Sequence, residues 1–170
     1  MVIQTGATDR VSALPTSGGA EQRLRDLGIE LPAAPKPLGA YVTSVQTGNL
    51  LFLSGMLPIV GGVPFYSGRV GAELNLEQGR AAAFAATLNG LAIAKAHLGS
   101  LDKVTRIVRL GASITTTADF VQHATLVDAA SELLESVFGR DKTSTRLITG
   151  VVSLPLGLPI ALELIFEIEA

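Results

Sequence analysis

Few residues in this chain could do chemistry, and their spacing narrows the choices quickly. The two histidines, His97 and His123, stand 26 positions apart with no second ligand at metal-site spacing. A packing or surface role is the expectation for both, and no metal is expected. Ser54, in Leu-Phe-Leu-Ser-Gly-Met, lacks the glycine two residues earlier that a nucleophile elbow needs. It reads as a serine at a strand end, with ligand contact as the alternative. Gly61-Gly62 is followed by neither Gly-Lys-Ser/Thr nor a helical pattern, so it reads as a turn rather than a phosphate loop. Glu163, Glu167 and Glu169 alternate with Leu162, Leu164, Phe166 and Ile168. That is a strand with one apolar face, whose carboxylates face solvent or line a site. Arg146 is the single charge in Ser-Thr-Arg-Leu-Ile-Thr-Gly-Val-Val-Ser. A planar guanidinium in such company serves a structural ion pair or binds a carboxylate bidentately, and the residues leave both open.

The elements that must position these groups follow from the pattern. Residues 1–19 are rich in Gly, Ser, Thr and Pro without periodicity and read as a flexible leader, and residues 20–170 as a single domain. Ala20 to Leu27 reads as a short helix stopped at Gly28, and Pro32, Pro35 and Pro37 mark an extended linker. Tyr-Val-Thr-Ser-Val-Gln and Asn-Leu-Leu-Phe-Leu-Ser-Gly flank Thr47-Gly48 as the two arms of a hairpin. Asn75 with Gln78 forms a capping box that opens a helix running to about Leu98, with Phe84, Leu88, Leu91 and Lys95 in line, many alanines that permit close packing against a sheet, and Gly99 past its end. Val104 to Thr115 reads as a partly alternating strand. A second helix is expected from about Ala118 to Phe138, with Phe120, Val127, Leu134 and Val137 on its apolar face. Arg146–Leu154 and Ile160–Glu169 read as strands around Leu-Pro-Leu-Gly-Leu-Pro. The order β-β-α-β-α-β-β is an α+β arrangement.

Composition excludes several function classes. The 170 residues include no cysteine, which removes disulfides and thiolate catalysis. The 13 Lys and Arg are scattered and the net charge is -2, so nucleic acid is not an expected partner. No apolar run approaches membrane-span length, and the first ten residues lack a basic flank and an apolar stretch. A cytoplasmic location is therefore the expectation. Hydrophobic residues make up 48%, rich for a monomer.

Three separated segments resemble the reactive intermediate deaminase (Rid/YjgF, endoribonuclease L-PSP-like) superfamily, in a longer divergent branch. They are Pro37 to Ile59 with its Ser-Gly-x-x-Pro, Asn75 to Val104 with Asn89, and Ser144 to Ala170, where seven residues separate Arg146 from Leu154-Pro155. The resemblance implies a chorismate-mutase-like fold, with a mixed sheet covered on one face by two long helices. It also implies a homotrimer with ligand clefts between subunits. The implied activity is hydrolysis of reactive 2-imino and 2-enamino acids to 2-keto acids and ammonia, without a cofactor. Arg146 would clamp the substrate carboxylate, while Tyr41 and Ser54 would contact the ligand. Where the family carries a water-activating glutamate this chain has Ala161, which cannot do acid–base work. Glu163, two residues on, is the acid that could replace it. The alternative is a trimer that binds small carboxylates without catalysis, as a sensor or regulatory module. An endoribonuclease is disfavoured by the lack of a paired His or Lys acid–base set.

Overall fold

The computed structural model describes residues 18–169, so most of the expected leader lies outside the described residues. The chain forms α1 (Ala20–Asp26), β1 (Ser44–Thr47), β2 (Leu50–Leu53), β3 (Ile59–Val60), β4 (Val63–Pro64), α2 (Leu76–Leu98), β5 (Val104–Thr115), α3 (His123–Phe138), β6 (Thr145–Val151) and β7 (Ile160–Ile168). Five strands make one sheet in the order β1-β2-β7-β5-β6, antiparallel except for the parallel pair β5–β6. The expected mixed α+β architecture is what forms, with β3 and β4 added as a small separate ribbon after Pro58.

Local chemistry accounts for the ends of these elements. Asn75 accepts the Gln78 N–H and the Gln78 side chain accepts the Asn75 N–H, completing the capping box of α2. Gly99 closes that helix at φ +80°. β1 and β2 pair from Thr47 to Leu50, leaving Gly48-Asn49 as the turn, and Gly48 takes φ +56° at its first position. α3 begins at His123, later than the expected 118. Ala118–Gln122 is spent instead on a turn closed by the Phe120 N–H on the Thr117 carbonyl.

The core lies between one face of the sheet and α2 with α3. Leu110, Ile114, Leu162, Leu164 and Phe166 face it from the sheet, and Leu126, Leu133 and Leu134 from α3. Of the expected row of large side chains on α2, Leu91 is fully buried while Phe84 and Leu88 are only partly so. Gly79, Ala82, Ala83, Ala86 and Gly90 carry the contact. A Cβ on Gly79 would stand 2.5 Å from Leu126 Cδ1, and one on Gly90 2.7 Å from Leu164 Cδ1. Small residues thus let α2 approach both the sheet and α3 at close packing distance. No described helix is long and apolar enough to cross a membrane.

Candidate functional site

No helix of the described residues covers the sheet's second face. β7 alternates strictly, with Ile160, Leu162, Leu164, Phe166 and Ile168 buried, so Ala161, Glu163, Ile165 and Glu167 point to this open face. On β5 the alternation is broken. Ile107 pairs with Phe166, yet Arg109 pairs with Ile165, so one extra residue is inserted at Val108. This bulge reverses the phase of the strand. Ile107 and Leu110 both face the core, and Arg109, Gly111 and Ser113 turn outward opposite Ile165, Glu163 and Ala161. On β6, Leu147 and Thr149 pair with Gly111 and Ser113.

Arg109, Ser113, Leu147, Thr149, Ala161 and Glu163 line a cavity of about 220 Å³ together with Gly55 and Gly111. Arg109 donates from Nε to Glu163 Oε2 at 2.9 Å. Glu163 reaches it by lying over Gly111, where a Cβ would stand 2.9 Å from Oε2 and 3.2 Å from Glu163 Cβ. Ser113 Oγ and Thr149 Oγ1 are 3.4 Å apart. Among the described residues, Glu163 and Arg109 are the only ionisable groups lining this space, and Ala161 sits in the same wall.

Tyr41 and Ser54 line a second, smaller cavity that shares Gly55 in its wall with the first. The Tyr41 hydroxyl accepts the Leu38 N–H at 3.0 Å, and Ser54 Oγ donates to the Val42 carbonyl at 2.6 Å. These bonds hold the segment before β1 against the end of β2. Asn89, reaching up from α2, closes the floor by donating to the Leu57 and Ile59 carbonyls.

Arg146 lies elsewhere. It pairs with core-facing Leu110, so its side chain leaves β6 on the helix side of the sheet. There Nη1 donates to Asp128 Oδ1 at 2.7 Å and to Ser131 Oγ at 3.1 Å. It lines a third cavity with Ser131, Glu135, Thr143 and Ser144. Within one chain, therefore, Arg146 and Glu163 are on opposite faces of the sheet, and Ala161 does not face Arg146.

His97 and His123 stay apart: His97 contacts Ser44 and Gln46, and His123 stacks edge-on against Phe120. No group of three His, Cys, Asp or Glu suited to a metal occurs among the described residues. Arg109, Ser113 and Thr149 were not singled out in the sequence. The alternation of β5 with β7 could have pointed to them, but only once the bulge at Val108 is known.

Comparison with known proteins places this architecture. The family model described as "YjgF/chorismate_mutase-like, putative endoribonuclease" matches residues 21–168. The chain belongs to the YjgF family. It is 37% identical over 156 residues to Protein TCP17 of Trypanosoma cruzi, covering 90% of this chain and 96% of that protein. A Shewanella oneidensis MR-1 protein whose crystal structure carries the same endoribonuclease description superposes with a TM-score of 0.85 at 32% identity, over 89% of this chain and all of that one. Atu1372 of Agrobacterium tumefaciens, described as of unknown function, gives 0.81 at 33% identity, over 88% and 92% of the two chains. Both structures support the mixed α+β fold of the YjgF family for this chain.

Proposed function

We propose that this YjgF-family chain hydrolyses small 2-imino and 2-enamino acids to 2-keto acids and ammonia, in clefts between copies of a homotrimer. The observation that carries the reading is that Ala161 and Glu163 line one cavity. The carboxylate missing at the first position is available two residues, or roughly 6.6 Å, further along the same strand face.

The chemistry asks for little. The iminium carbon is already electrophilic, so an ordered water and a proton acceptor suffice. Glu163 takes a proton as water attacks, giving a carbinolamine. It passes that proton to nitrogen, takes the hydroxyl proton as the C–N bond breaks, and hands it to the departing ammonia. Iminium and water become keto acid and ammonium, and Glu163 ends ionised as it began. Ser113 and Thr149 supply hydroxyls to order the water. Arg146 is the proposed carboxylate clamp. Because it lies across the sheet from Glu163 within one chain, the reading requires the exposed β6 edge of a second copy to bring its Arg146 to this cleft. Tyr41 and Ser54 are proposed as ligand contacts from the adjoining cavity.

A second reading is favoured by one observation. Glu163 is held by Arg109 in the free chain, which suits a carboxylate-binding module better than a strong base. An endoribonuclease finds no histidine or lysine lining this cavity.

Purified protein given freshly generated 2-iminopropionate should accelerate release of keto acid and ammonia. Glu163→Gln should lower kcat by about a hundredfold, the scale of lost acid–base catalysis. Arg146→Ala should raise KM. No acceleration over buffer with several imino acids overturns the deaminase reading. Carboxylate binding lost in Arg146→Ala would then support the binding module.

A further inference from the structure

The Arg109–Glu163 pair uses only part of the arginine. Glu163 contacts Nε alone, and neither terminal nitrogen of Arg109 has a hydrogen bond among the described residues. The guanidinium side chain is 38% exposed and lines the cavity. A guanidinium with Nε occupied keeps its Nη1–Nη2 edge, which fits a carboxylate end-on through two parallel N–H donors. Arg146 differs, because both of its hydrogen bonds come from Nη1 and that edge is already engaged.

The charges around Arg109 point the same way. Among the described residues its only charged companion in the cavity wall is Glu163, and the pair sums to zero. A glutamate in place of Ala161 would make this wall negative and repel an anion. With alanine there, the positive end of the pair is left facing a space with room for a ligand group. Ser113 and Thr149 stand on the same face to donate to its oxygens.

We infer that Arg109 binds a second anionic group of the ligand, so that this site selects dianionic 2-imino acids, those with a carboxylate on the side chain. The inference rests on the proposed reading, in which Arg146 holds the first carboxylate. Arg109 acts by touching the ligand, and its Nε keeps Glu163 beside it. One planar group thereby fixes the distance between side-chain carboxylate and base.

The test uses the full chain and three pairs of probes. Calorimetry compares succinate and 2-oxoglutarate with propionate and pyruvate. Kinetics compares 2-iminosuccinate with 2-iminopropionate. The expected result is tighter binding of the dicarboxylates, reduced at least about tenfold by Arg109→Gln while monocarboxylate affinity stays within about twofold, as loss of one charge-assisted fork requires. Arg109→Lys should recover only part of the preference, because it restores charge without the fork. Ala161→Glu leaves Arg109 in place and should lower dicarboxylate affinity by repulsion, which supplies a second measurement if Arg109→Gln folds poorly. Imine hydrolysis with no preference for dianions overturns this inference and leaves the proposed function standing. Dicarboxylate binding lost in Arg109→Gln, with no imine hydrolysis by the wild type, overturns the function and sustains the inference. Equal loss of both probe classes in Arg109→Gln overturns the two-anchor arrangement.

Discussion

At the scale of single residues, the position of Glu163 depends on an absence. Gly111 faces it across the β5–β7 ladder, and the carboxylate lies in the space a side chain would take. In Gly111→Ala the new methyl meets Oε2, the mobile end of a flexible chain, and also Glu163 Cβ at 3.2 Å. The carboxylate can swing away cheaply, so stability should change by less than about 1 kcal/mol. Its contact with Arg109 cannot survive that swing. Imine hydrolysis should fall by about tenfold to a hundredfold, the cost of misplacing a reacting group by an ångström or so. A thermal melt beside a progress curve separates the two effects. Activity at wild-type level in a folded Gly111→Ala protein would remove Glu163 from the mechanism. Arg109 itself was hidden in the sequence for a related reason. Val-Thr-Arg-Ile-Val-Arg-Leu-Gly can be assigned to two faces in two phases, and only the bulge at Val108, fixed by pairing with β7, selects the phase that turns Arg109 outward.

At the scale of elements, α1 buries Ala20 and Leu24 in the core, and the Glu21 carboxylate ties it to α2 and to the loop after it. Glu21 accepts Lys95 Nζ at 2.6 Å from α2 and the Leu101 N–H at 3.0 Å, while its own N–H donates to Asp102. Burial acts to raise the Glu21 pKa, but the Lys95 hydrogen bond, the Leu101 N–H and the Lys95 charge outweigh it and hold the group below its ordinary value. A carboxyl lowered on folding binds fewer protons in the folded state. Its contribution to stability is therefore complete above the unfolded value near 4.5 and is lost as pH falls through the lower, folded one. Glu21→Gln should cost about 1 kcal/mol at neutral pH, the low end for charged hydrogen bonds because Lys95 is nearly half exposed. The difference from wild type should shrink on acidification below pH 4.5. Denaturant melts across that range check it, and a gap that does not shrink would show that packing, not charge, fastens α1. Local signals of this kind were readable in advance: the capping box at Asn75, the stop at Gly99 and the hairpin at Gly48 each fall where residue chemistry put them. The buried side of α2 was legible in part: its alanines and Leu91 pack as the pattern suggests, whereas Gly79 and Gly90, whose value lies in the neighbours they admit, give periodicity nothing to find.

At the scale of the whole molecule, one chain leaves the second face of its sheet uncovered. The open face of the sheet carries Val45, Phe52 and Leu147 at 53%, 37% and 52% exposure, around the Arg109–Glu163 pair. β6 ends the sheet on one side with its ladder unpaired. A sheet with one face on the core and one face half apolar is the surface a second copy can cover. The segregation of Arg146 from Glu163 gives the proposed chemistry its own need for that copy. We therefore expect the protein to sediment at roughly three times the 17.6 kDa chain mass at micromolar concentration. Leu147→Glu should test the arrangement sharply. In a lone chain the side chain is solvated and the fold should tolerate the change within about 0.5 kcal/mol. In a subunit interface the same carboxylate would be desolvated at a cost of several kcal/mol. The expected product is a folded monomer, with imine hydrolysis lost because Arg146 no longer reaches a neighbour's cavity. Sedimentation velocity and circular dichroism on the one variant read assembly and fold separately. If the wild type is itself monomeric, the clefts between copies do not exist, and Arg146 reverts to the ion pair with Asp128 that one chain already gives it. The cavity at Arg109 and Glu163 needs no second copy, so dicarboxylate binding by such a monomer would identify it as the complete site.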